Sequence, residues 1–257
     1  MRSIYICSTT YQLIVALHIM IMNSDKENSD IIITDSMKDG DLIAKRLRMC
    51  KRFNEVFFVS GKDTILEHQK NVYLDPRYSV RLKEKSGEGY NSLVVHDKYQ
   101  KIFFANIGGL SLALTSYLKK RNKRALLCMY EEGVSSYSQY YGDAINKKND
   151  IKHLYNRFLM KTLYNIDQFL CFTPDVMVWK PKCEIQKLES IESTKIQLTK
   201  CLNYIYDINN LQDDYNEKVI FFEESYVEDG ISIDDLSVVA ELESIYGKNA
   251  IFVKTHP

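Results

Sequence analysis

An α/β fold on a parallel, doubly wound sheet is predicted by three observations. Short, continuously apolar runs recur along the N-terminal half of the chain, segments with helical spacing separate them, and polar clusters follow the ends of several runs. Strands that are apolar on both faces need cover on both faces, which helices crossing over a parallel sheet provide.

SIYIC (3–7) reads as the first buried strand, rich in β-branched residues. Thr9 or Thr10 can cap the helix that follows to about Asn23. IIIT (31–34) is a second strand, and DGDLIAKRLRMC carries Leu42, Ile43, Leu47 and Cys50 at helical spacing. EVFFVS (55–60) is a third strand, with a short amphipathic segment around Ile65 and Leu66 after it. KIFFANI (101–107) is a strand before a helix from about Leu110 to Arg121, and ALLCMY (125–130) is the next strand. Beyond Gly142 a helix places Leu154, Tyr155, Phe158, Leu159 and Leu163 on one face, and QFLCF (168–172) is another strand. Residues 184–206 read as a long, charged helix, and NNLQDDYNEK (209–218) as a polar linker. KVIFF (218–222), a helix over 234–247 and AIFVK (250–254) begin a second αβ set. A lone βαβ unit cannot cover both faces of its sheet, so the chain is expected to be a piece of a longer one.

Composition is that of an ordinary globular protein, 45% hydrophobic and 26% charged over 257 residues. Lys plus Arg and Asp plus Glu both number 34, so no overall field favours nucleic acid or an anionic membrane. The basic clusters at 45–52 and 119–124 read as solvated helix faces and ends. Six scattered cysteines show no metal-ligand spacing and read as reduced thiols of a cytoplasmic protein. No signal peptide of the usual form opens the chain, and the apolar stretch Tyr11 to Met22 is too short to span a bilayer.

In a parallel sheet of this kind ligands gather beyond the carboxyl ends of the strands. Ser8-Thr9-Thr10, Asn106-Ile107-Gly108-Gly109 and Glu131-Glu132-Gly133 all fall there. Two adjacent carboxylates repel one another, so a pair closing a buried strand needs a use or a neutralising partner. Side chains alternate at a strand end, so one of Glu131 and Glu132 would face a ligand and act as general base. The other would accept hydrogen bonds from local backbone or from Ser135 and Ser136, while Gly133 permits a sharp turn. Solvated glutamates beside a capping serine are the plain alternative. His256, held extended by Pro257, would project from a strand end and stabilise or protonate a leaving phosphate; an ordinary loop histidine is the alternative there.

An acidic pair with glycine, followed about 120 residues later by His-Pro, resembles the bacterial sialyltransferases. CSTTYQL (7–13), YEEGVSSY (130–137) and FVKTHP (252–257) are most similar to glycosyltransferase family 52, the lipooligosaccharide and capsule sialyltransferases. The resemblance implies a GT-B arrangement of two Rossmann-like domains: an acceptor-side domain over 1–175, a helical linker region over 176–217, and the beginning of a nucleotide-sugar-binding domain over 218–257. It implies an inverting, metal-independent transfer of sialic acid from CMP-sialic acid to a galactose-type acceptor of a bacterial surface glycan. Glu132 and Glu131 become base candidates, with Asp229 or Asp234 as alternatives, and His256 meets the CMP phosphate. Thr9, Thr10, Gln12, Gly133, Ser135 and Pro257 are expected on the substrates. No cofactor is expected. The expected partners are a nucleotide-sugar donor and a glycan acceptor, without nucleic acid; peripheral attachment at the inner face of the membrane and homodimer formation stay open. A UDP-sugar-dependent glucosyl- or galactosyltransferase, and a non-catalytic flavodoxin-like binding module, are the competing functions. The module would need one complete sheet and no second αβ set, against which KVIFF and AIFVK argue.

Overall fold

Every residue of Ser3–Cys7 is buried, and so is every residue of Ser29–Thr34, as expected of central strands covered on both faces. The computed structural model describes residues 2–23, 29–59, 99–106, 109–138, 166–208, 219–222 and 235–254. The segment around Ile65 and Leu66, the helix containing Leu154 to Leu163 and the linker at 209–218 lie outside the described residues.

Two compact units divide at Tyr206 and Asp207. In the first, the elements run β1 (Ser3–Cys7), α1 (Thr10–Met22), β2 (Ser29–Thr34), α2 (Gly40–Cys50), β3 (Val56–Val59), β4 (Lys101–Phe104), α3 (Gly109–Arg121), β5 (Leu126–Tyr130), β6 (Gln168–Cys171), β7 (Glu184–Lys187) and α4 (Lys195–Tyr206). The seven strands form one sheet in the order β3-β2-β1-β4-β5-β6-β7, with every pairing parallel. This is a Rossmann-like sheet.

The pleat sorts the core into two layers. Tyr5, Cys7, Ile31, Phe103, Cys128 and Tyr130 pack with α1, α2 and α4 on one face. Ile4, Ile6, Ile102, Phe104, Leu127 and Met129 pack with Leu110, Leu114 and Leu118 of α3 on the other. Helix α1 is buried at every position from Leu13 to Ile21 except Ile14, because α4 covers the side turned away from the sheet.

Residues 184–206 are not one helix. Glu184–Lys187 is the edge strand β7, Ile191–Thr194 is a 3₁₀ turn, and only Lys195–Tyr206 is α-helical. All four residues of β7 are exposed, so no apolar run marks it as a strand. Leu198, Cys201 and Ile205 bury α4 against the same core as α1 and α2, and the first compact unit runs to Tyr206. His18 fastens this segment from within: its Nε2–H donates to the Glu189 carbonyl (2.9 Å) and its Nδ1 accepts from the Thr194 hydroxyl (2.6 Å).

The second unit holds β8 (Val219–Phe222), α5 (Asp235–Tyr246) and β9 (Ile251–Lys254). Its two strands pair in parallel with one another in a sheet of their own.

Candidate active site

The sheet order places β4 between β1 and β5, so the chain winds one way from β1 to β3 and the other way from β4 onward. Clefts at such a switch point collect ligands. Helix α1 starts directly beyond β1, and β5 delivers Tyr130, Glu131 and Glu132 to the same edge. The Tyr130 hydroxyl donates to the Ile6 carbonyl (3.0 Å) and lies 3.3 Å from the Cys7 sulfur, tying the ends of β1 and β5 together. Burial pushes the Cys7 thiol up to about 12, which keeps it protonated.

The two adjacent carboxylates part company here. Glu131 is 3% exposed, and three donors surround it. Tyr11 donates to Oε1; Tyr137 and the backbone N–H of Phe172 (2.9 Å) donate to Oε2. Burial, and next the bond to Glu131, raises both phenols above their ordinary range, so both stay neutral donors. A buried carboxylate so enclosed is an anchor that joins α1, the 3₁₀ turn Val134–Tyr137 and the end of β6.

Glu132 is half-buried and far less engaged. Its Oε2 accepts from Gln12 Nε2 (3.2 Å), and no described residue bonds Oε1. Burial raises its pKa, while the Gln12 amide acts in the opposite direction. Among the described residues no cation lies within ion-pair distance of either glutamate. The Glu132 backbone N–H donates to Ser136 Oγ (2.8 Å), and the Ser136 carbonyl accepts the Trp179 indole N–H (2.8 Å). Gly133 turns the chain between them at φ 126° and ψ −163°, a conformation that a side chain resists.

Of the residues predicted from sequence, Glu131, Glu132, Gly133 and Gln12 come together at this edge. Thr9 caps α1, its Oγ1 accepting from the Gln12 N–H (3.2 Å). Gln12 is 1% exposed, its amide held between Ser8 and Glu132. Thr10 is exposed at the start of α1, beside a buried Tyr206 hydroxyl that has no well-formed hydrogen bond. Ser135 is exposed; its neighbour Ser136 is the serine that meets Glu132. His256, Pro257, Asp229 and Asp234 lie outside the described residues.

Ser136 was expected as a donor to a carboxylate, and instead its Oγ accepts from the Glu132 backbone N–H. Tyr11, Tyr137, Phe172 and Trp179 complete the site and were not foreseen. Tyr137 had a signal in the sequence, since a buried carboxylate needs donors and this phenol lies six residues away. The Phe172 N–H and the Trp179 indole had none, because only the β5–β6 pairing brings them in. Among the described residues no three His, Cys, Asp or Glu side chains are placed to hold a metal ion, and no helix is long and apolar enough to cross a membrane.

A family model described as alpha-2,8-polysialyltransferase (POLYST) matches residues 3–257. No curated protein matches the chain.

Proposed function

The chain belongs to the alpha-2,8-polysialyltransferase family and is a sialyltransferase; from that premise we propose that it moves sialic acid from CMP-sialic acid to a glycan hydroxyl, with Glu132 as general base. The observation that carries this is the unequal pair at the end of β5. Glu131 is enclosed by three donors, whereas Glu132 is half-buried, with one oxygen that no described residue bonds and a proton affinity raised by burial. A sugar hydroxyl is a poor nucleophile until a positioned carboxylate takes its proton.

The family description names a 2→8 linkage. We therefore assign the attacking hydroxyl to O8 of a terminal sialic acid, in place of the galactose-type acceptor expected from the short motifs. The likeness to family 52 and its lipooligosaccharide enzymes is retained only as shared motifs. The displacement inverts the donor carbon: the O8 oxygen forms the new bond, CMP leaves with the bonding pair, and the proton passes to Glu132. His256 is assigned to the departing phosphate, whose charge a nearby imidazole can stabilise; the step needs no metal or cofactor. The β8–α5–β9 set is the part proposed to begin a nucleotide-sugar-binding domain of a GT-B enzyme. Six cysteines, none of them in a disulfide, support a reducing, cytoplasmic setting.

The test is steady-state transfer from CMP-sialic acid to oligosialic acid, with lactose and UDP-glucose as alternative acceptor and donor. Glu132→Gln is expected to bind CMP normally while losing about 10²–10⁴-fold in rate. His256→Ala is expected to lose both CMP affinity and turnover. Near-normal turnover of Glu132→Gln would move the base to Asp229 or Asp234, and transfer from UDP-glucose would overturn the donor.

A further inference from the structure

We infer that Gln12 is a positioning residue for the reaction: it holds the Glu132 carboxylate by Oε2, leaving Oε1 for the acceptor hydroxyl. This deepens the proposal above and rests on Glu132 as the base.

Gln12 cannot choose which end of its amide meets Glu132. The backbone N–H of Ser8 can only donate, and it lies 2.7 Å from Oε1, so that atom is the carbonyl oxygen. The amide NH₂ therefore points at Glu132 Oε2, 3.2 Å away. Gln12 itself is pinned, its backbone N–H donating to Thr9 Oγ1 (3.2 Å) and its side chain closed off from solvent at the head of a buried helix. A chain of three fixed groups, Ser8 N–H, the Gln12 amide and the Glu132 carboxylate, thus runs from the end of β1 to the end of β5.

The consequence concerns protonation as well as aim. Glu131 adjoins Glu132 in the chain and carries the Tyr11 and Tyr137 phenols; Tyr130, with the Cys7 thiol against it, precedes them on β5, and Ser136 meets the Glu132 backbone N–H. None of these is a cation, and burial favours a proton on Glu132. A protonated Glu132 cannot accept the acceptor's proton. The Gln12 amide is the donor among the described residues that opposes this.

Two substitutions separate aim from scaffolding. Gln12→Glu retains an oxygen for the Ser8 N–H but loses the NH₂ and sets a second carboxyl group against Glu132. Gln12→Met keeps the length and loses both bonds. The measurement is a ¹³C NMR titration of the Glu132 carboxyl, assigned by its disappearance in Glu132→Gln, together with the pH dependence of kcat/KM. The Glu132 midpoint and the acid limb of the rate profile are expected to rise together, by roughly one pH unit in Gln12→Met and further in Gln12→Glu. The KM for CMP-sialic acid should not move. Should Gln12→Met fail to fold, Gln12→Glu decides, because it preserves the Ser8 contact. Folded variants with midpoint and limb unmoved, beside an inactive Glu132→Gln, overturn the role of Gln12 alone. An active Glu132→Gln overturns the base assignment and this role with it.

Discussion

Replacing Glu131 by alanine tests whether the buried glutamate is an anchor. The change strands three donors at once: the hydroxyls of Tyr11 and Tyr137 and the N–H of Phe172. Both tyrosines are partly exposed, so they can turn to water, and each loses about 1 kcal/mol. The backbone N–H of Phe172 cannot swing away, and leaving it unmet costs about 1–3 kcal/mol. The sum is about 3–5 kcal/mol. For a unit of this size each kcal/mol lowers Tm by about 2–4 °C, so calorimetry of Glu131→Ala should show a fall of roughly 6–20 °C. Glu131→Gln keeps an oxygen where two of the donors meet and should fall between the alanine variant and the parent. Glu132→Gln, which removes a burial-disfavoured charge, should stay within about 2 °C of the parent while losing rate. A Glu131→Ala protein that melts with the parent, or a Glu132→Gln protein that melts far below it, would refute the division of labour.

Two further outcomes are expected. Gly133→Ala should cost about 1–3 kcal/mol from the backbone alone, since an added Cβ would meet nothing within 4 Å; a parental Tm and transfer rate would show that the φ of 126° is dispensable. Burial lowers the His18 pKa, and the Glu189 carbonyl only partly offsets it. The unfolded chain therefore takes the proton first as pH falls below about 6.5. Stability should be flat above that pH and decline below it, and His18→Gln should lessen the decline; identical Tm-versus-pH curves for the two proteins would exclude the His18 contacts as its source.

The central strands were legible because burial on both faces leaves an apolar run, as in SIYIC (3–7) and IIIT (31–34), whereas the buried Ser29 and Asp30 that open β2 carried no such signal. Helix α1 was legible to within one residue of its cap, Thr9 or Thr10 being the choices and Thr9 the cap, because capping is a local event. β7 was not: an exposed edge strand needs no apolar run, and Glu184–Lys187 has the charge pattern of a helix surface. At the site, the paired glutamates and Gly133 announced themselves by like charge at a strand end. Which carboxylate was enclosed could not be read, because the enclosing groups come from α1, the turn after Gly133 and the residue beyond β6. Gln12 was visible as a residue near a strand end, but its orientation depends on a backbone N–H four residues earlier.

The span of these contacts has a kinetic consequence. Tyr11 and Gln12 meet the glutamates across 120 residues of chain, and Phe172 meets Glu131 across 41. Contacts of such sequence separation form slowly, since long loops must close before any bond rewards them. Helix α1 and strand β5 can each exist while β1 is still unpaired with β4, yet Glu131 then lacks Tyr11 and Glu132 lacks Gln12. During refolding, recovery of transfer activity should therefore lag behind recovery of helical signal and coincide with the last pairing of the sheet.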